Sequence, residues 1–235
     1  MKKLIFIPLL ILFSCSKSKS KHEVDKFNQE HEAFLDKIKV LSNDILNENF
    51  NFKGIEIIYV QSGQAYYQWL GHVFLRFVGS GQSPSEDYGV SFIANFNEFN
   101  LDNYKAYYGG YTVLPIIDKW KNYINDYLIK EQRYMDRHII PTNKEQRHKI
   151  KMTLRDWIVN PSLPGTYSFR RNSCTALLLK LLQAGLKQIN GEKVVFPIEV
   201  ITYLKSLNLI SYSYKRINTN DKIFNMRLDI SKYNL

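Results

Sequence analysis

Two glycine-terminated runs, "GIEIIYVQSG" from Gly54 to Gly63 and "HVFLRFVGSG" from His72 to Gly81, commit this part of the chain to a sheet. Both are apolar and rich in β-branched or aromatic residues, which suit a pleated, packed surface, and both stop where glycine lets the backbone turn. "EDYGVSFIANFNEF" (Glu86 to Phe99) reads as a third strand, and the "GSGQSPSED" before it has the turn chemistry of a hairpin connection.

Helical periodicity lies on either side of these strands. From His22 to about Asn47, Val24, Phe27, Phe34, Ile38, Leu41 and Ile45 recur at threes, fours and sevens, which predicts an amphipathic helix. After Gly109 and Gly110 a helical segment is expected around Pro115 to Tyr127, followed by an extended "KEQRYMDRHII" ending at Pro141. Thr142 is expected to cap the helix "NKEQRHKIKMTLRDWIV". "NPSLPG" then breaks the chain, and leucines fill most apolar positions from Cys174 to about Leu186, as in a buried helix. Pro197 opens a short helix, "PIEVITYLKSL", and two strands, "LISYSYKRI" and "KIFNMRLDI", are expected to close the chain. The fold class is α+β, with an antiparallel sheet packed against helices.

A chain of 235 residues that is 45% hydrophobic is long enough to bury the core of one domain. The amino-terminal "MKKLIFIPLLILFSC" pairs two lysines with a short apolar run and a small residue before cysteine, the pattern of a bacterial lipoprotein signal. Residues 1–14 would be the signal peptide, 15–21 the lipidated Cys15 with a polar spacer, and 22–235 the domain. An acylated Cys15 leaves Cys174, the only other cysteine, without an intramolecular disulfide partner, so that thiol is either buried and inert or functional. The formal charge of +10 suits a surface attracted to anionic head groups at a membrane; an exported lipoprotein is not expected to meet nucleic acid.

Cys174 opens a helix, with Asn172 or Ser173 as the candidate cap. The positive end of the helix macrodipole favours thiolate there, and a neighbouring imidazole would complete an activated nucleophile, as in papain-like enzymes. His22 and His31 fall on the first helix and are expected to face solvent, His148 lies on a charged helix face, and His138 follows Arg137 in an extended segment. His72, after Trp69-Leu70-Gly71 and at the head of an apolar strand, is the candidate base. Asp87, Tyr88 and Ser91 on the next strand are candidates to orient it, with Tyr88 preferred. His72, His138, His148 and Cys174 show no compact ligand spacing, so no metal or other cofactor is expected.

"YYQWLGHVFLRF", "EDYGVSF", "YKAYYGGY", "YLIKEQRYMDRHIIPTNKEQR" and "YSFRRNSCTALL" resemble, in order and spacing, the Lnb amino-terminal periplasmic domain family, over roughly Ile55 to Leu186. The shared elements are a Gly-His pair entering a strand (Gly71-His72), a Tyr-Gly (Tyr88-Gly89) and a late asparagine and cysteine opening a helix. In this chain Ser173 stands between Asn172 and Cys174, where the family places asparagine directly before cysteine.

The resemblance implies a circularly permuted papain-like fold, related in architecture to lecithin:retinol acyltransferase. It implies thiol acyl chemistry on lipids, up to lipoprotein N-acylation, with Cys174 as nucleophile and His72 as base. The partners would be a membrane, reached through the lipid on Cys15, and a phospholipid or lipoprotein substrate. The location implied is the outer membrane facing the periplasm. Two alternatives remain open: a papain-like cell-wall peptidase or amidase using the same pair, and a non-catalytic lipoprotein that binds lipid or a partner through its aromatic surface.

Overall fold

The computed structural model describes residues 21–63, 71–95, 102–190, 194 and 196–217. The leader, Cys15 and the last expected strand, "KIFNMRLDI", lie outside the described residues.

In chain order the elements are α1 (Lys21–Leu46), β1 (Gly54–Val60), β2 (His72–Val78), β3 (Tyr88–Asn95), α2 (Asn103–Tyr108), β4 (Thr112–Lys119), α3 (Trp120–Tyr123), β5 (Met135–Ile140), α4 (Lys144–Val159), α5 (Cys174–Gln183), α6 (Pro197–Ser206) and β6 (Tyr212–Ile217). Among the described residues one six-stranded sheet has the order β4-β3-β2-β1-β5-β6, and every paired neighbour is antiparallel.

Alternation along the strands divides the sheet into two unlike faces. One face presents Ile55, Ile57, Val73, Leu75, Phe77, Val90 and Phe92 to helices α1, α4, α5 and α6, whose apolar stripes complete the main core. Helix α5 buries Leu177, Leu178, Leu179, Leu181 and Leu182. At about 1.5–3 kcal/mol for each buried leucine, that helix is firmly fixed on β2 and β3. The other face presents Ile58, Val60 and Phe74 to Trp120, Tyr123 and Tyr127. These aromatics come from α3 and from the π-helical turn Ile124–Lys130 that continues it.

The helix expected around Pro115 to Tyr127 is half strand: residues 112–119 form β4, and helical structure begins only at Trp120. Proline lacks the N–H a central strand must donate, but β4 is an edge strand, where proline is tolerated. The cap of α4 is Asn143 rather than Thr142; its side chain accepts from the Gln146 N–H while the Gln146 side chain accepts from the Asn143 N–H. His31, expected to face solvent, is half-buried and stacks on Phe27 at 5.7 Å.

Gly89 of the Tyr-Gly element is required by packing. A Cβ there would lie 2.6 Å from the Tyr123 ring and 3.3 Å from the Leu75 carbonyl oxygen. Gly71 is required by conformation, since its φ is 72° and a Cβ would lie 2.8 Å from the Val60 carbonyl oxygen.

Candidate functional site

Cys174 is the first residue of α5. Ser173, not Asn172, caps the helix, its hydroxyl accepting from the Ala176 N–H at 3.4 Å. Asn172 instead ties down the loop before the helix. Its amide donates to the carbonyls of Pro164 (3.0 Å) and Thr166 (2.9 Å), and its oxygen accepts from the Lys180 ammonium at 2.7 Å. Both side chains are buried, so the residues ahead of the thiol are rigidly placed.

The thiol is half-buried and packs against the main core. The Tyr167 hydroxyl lies within hydrogen-bonding reach of both its sulfur and its backbone N–H. The Thr175 hydroxyl is 3.9 Å from Sγ. Burial pushes the thiol above its ordinary value of 9.0, although hydrogen bonds from Thr175 and Tyr167 favour the thiolate. Desolvation therefore outweighs the donors and the macrodipole, and the resting group is a thiol at neutral pH, not the thiolate expected from its helix position alone.

His72 opens β2 and lies toward the same end of the sheet as the thiol. Extending the Leu75↔Val90 register sets His72 beside Ile93, near the Asn95↔Thr112 end of β3 and β4, and Tyr111 next to that end bridges to Tyr167. The faces differ. The imidazole stacks toward Phe74 and Tyr127, with ring centroids 6.1 and 5.5 Å away, on the side of the sheet opposite α5 and Cys174. Burial first, then the nearby Arg133 guanidinium, lowers its pKa to about 3.

Tyr88 does not reach His72. It is paired with Phe77, five residues along β2 from His72, which at ~3.3 Å per residue separates them by about 17 Å. Its hydroxyl donates to Asp44 at 2.7 Å and the Lys119 ammonium sits over its ring, so its partners join α1 to the sheet. Asp87 accepts from Arg76 at 2.7 Å, and the Ser91 hydroxyl pairs with Tyr123. His138 is buried on β5 with Nδ1 2.8 Å from the Ser213 hydroxyl, and burial lowers its pKa to about 4. Among the described residues no three His, Cys, Asp or Glu side chains cluster as metal ligands would.

Both lowered histidines make the fold acid-sensitive. The unfolded chain takes up protons near pH 6.5 and the folded chain only near 3 or 4, so their contribution is complete above pH 6.5 and is lost as pH falls through that window. Urea denaturation across pH 3 to 7 is expected to show a shallower acid limb for His72→Phe than for the wild type. Superimposable limbs would mean that the ring is already protonated or solvated in the folded state.

Two features escaped the sequence reading. One is Tyr167, seven residues before the first residue of α5; nothing in "GTYSF" marks it. The other is an ionic network buried in the sheet. Glu56 accepts from Arg76 at 3.1 Å and from Arg137 at 2.5 Å, while Arg76 also bonds Asp87 and lies 4.7 Å from the Trp120 ring. Part of its signal was present, because Glu56 and Arg76 are each a lone charge inside an apolar strand run, whereas Arg137 follows Asp136 in a mixed one.

Residues 42–207 match the family described as the Lnb N-terminal periplasmic domain. No curated protein and no solved structure matches the chain.

Proposed function

The chain belongs to the Lnb N-terminal periplasmic domain family, and on that premise we propose that it is a thiol acyltransferase or hydrolase acting on the acyl groups of membrane lipids. The observation that carries this reading is the placement of Cys174, half-buried at the first position of α5 and in contact with the Tyr167 hydroxyl and the first backbone N–H groups of the helix. That is a nucleophile set beside hydrogen-bond donors, as attack on an ester carbonyl requires.

In the proposed reaction, Cys174 Sγ attacks the carbonyl carbon of a phospholipid ester and its proton passes to His72. Tyr167 and the helix N–H groups hold the developing oxyanion. The carbon–oxygen bond to glycerol breaks, the lysophospholipid oxygen takes the proton from His72, and a thioester remains. A lipoprotein amine or water then releases the acyl group. Because the resting imidazole stacks on the opposite face, its engagement requires the ring to come round the amino-terminal end of β2, next to Gly71 with its positive φ. The same proposal makes the protein a lipoprotein held through Cys15 at the outer membrane, facing the periplasm, with a papain-like permuted fold; the two lysines, apolar run and small residue before Cys15 support it.

One observation favours a second reading. A thiol raised by burial, with the candidate base on the other face of the sheet, is also what a non-catalytic binding lipoprotein would show. Intact-mass spectrometry of the full chain in detergent with defined phospholipids separates the two. The enzymatic reading expects one added acyl mass, absent from Cys174→Ala and reduced in His72→Ala. Absence of an adduct together with a thiol inert to iodoacetamide would establish the binding reading. Absence of an adduct with rapid alkylation would move the chemistry to another substrate, such as a cell-wall peptide.

A further inference from the structure

We propose that α2 and the adjoining hairpin 166–172 form a docking face for an anionic phospholipid bilayer. This goes beyond the acyl chemistry and rests on that reading only for the purpose of the docking.

Among the described residues, the two most exposed large aromatics and a third lie on this short helix: Tyr104 is 72% exposed, Tyr108 56% and Tyr107 48%, whereas Tyr134 and Phe196, at 45% and 44%, lie elsewhere. They touch one another, with ring centroids 4.6 Å apart for Tyr104 and Tyr108 and 4.9 Å for Tyr107 and Tyr108. A contiguous exposed aromatic patch is uncommon unless something covers it.

The hairpin is fastened to this helix. The Phe169 N–H donates to the Ala106 carbonyl at 3.0 Å, and the Ser168 hydroxyl donates to the Tyr107 carbonyl at 2.7 Å. The Ser168↔Asn172 bridge closes a tight turn with Arg170 and Arg171 exposed at its tip. Lys105 adds a third positive charge, and the only acidic residue of the two segments, Asp102, spends its carboxylate capping α2.

Exposed tyrosines ringed by basic residues fit the head-group zone of a membrane. The rings partition there with their hydroxyls still hydrated, and the cations find anionic phosphates. A protein partner would have to supply acidic side chains of its own, whereas an anionic bilayer presents such charge over any area. The position also gives the docking a purpose. Cys174 follows the hairpin by two residues, so a bilayer seated on α2 and the hairpin would lie close to the start of α5.

The test is hydrogen exchange on the full chain reconstituted into nanodiscs of phosphatidylcholine, or of phosphatidylcholine with phosphatidylglycerol. Amides of residues 103–108 and 168–172 are expected to exchange at least about ten-fold more slowly in the anionic discs, since each basic residue is worth about five-fold near such a surface. Arg170→Gln/Arg171→Gln is expected to abolish the difference between the two compositions, and Tyr104→Ser/Tyr108→Ser to weaken protection in both. Amides of α4 serve as the internal control. Equal exchange in both discs, or protection indifferent to these substitutions, would overturn the proposal.

The outcome is separable from that of the acyl reading. Variants that lose protection yet still form an adduct with a monomeric short-chain phospholipid support docking as a distinct function. Protection that persists in Cys174→Ala while the wild type forms no adduct leaves the docking face standing and removes the lipid acyl chemistry.

Discussion

Arg76→Met is expected to destabilise the fold by roughly 3–5 kcal/mol, the cost of removing one partner from a buried ion pair. Arg76 is 1% exposed and is the largest fully buried side chain among the described residues, holding Glu56 and Asp87 at once. Its loss leaves Glu56 with Arg137 and Asp87 with the Ser80 and Gly81 N–H groups. For a domain of this size the loss corresponds to a fall in melting temperature of about 6–20 °C. The penalty is expected to shrink in acid. Burial already raises the Asp87 carboxyl above its ordinary value, so lowering the pH neutralises it and relieves the variant more than the wild type. A loss below about 1 kcal/mol in urea titrations would mean that water enters the network and screens it.

Tyr167→Phe is expected to lower the rate of acyl transfer from phospholipid by ~10²-fold or more, the usual effect of deleting one donor from an oxyanion site. The substitution keeps the ring, which is 5% exposed and packs edge-on to Phe169, so stability should change little. The effect should fall on kcat rather than KM, because the hydroxyl would act on the tetrahedral intermediate and not on the bound ester. The hydroxyl also favours the thiolate, so iodoacetamide should react more slowly with the variant at a given pH. A variant with wild-type turnover but weaker alkylation would reduce Tyr167 to a neighbour that tunes the thiol.

Much of the architecture was legible from local patterns. The strands from Gly54 and His72, the helix opened by Cys174 and the helix after Pro197 all carry strong periodicity between clear stops. Pro115 misled because its meaning depends on whether a strand is central or at an edge, which only the completed sheet decides. The candidate site was legible only in part. Sequence placed the thiol correctly, since capping is local, but strand alternation near His72 could not be phased against a helix a hundred residues away. The side of the sheet that a strand residue faces is a tertiary fact, and here it separates the two groups that the family resemblance had joined.

The strand order carries a consequence for how the chain assembles. Strands β1 to β4 pair in chain order as a meander, whereas β5 must close on the far side of β1 after some 75 residues, a slower and less local event. Until then one edge of β1 lies open, with Glu56 in its middle bonded to Arg76, and a buried charge there discourages any neutral strand from adding. In the native pairing Glu56 stands opposite Ile139, one diagonal step from Arg137. A slip by a single residue would throw that guanidinium onto the leucine side and strand the carboxylate. The buried charges thus act as a key for pairing β1 with β2 and β5, the register on which the inner face of the sheet depends.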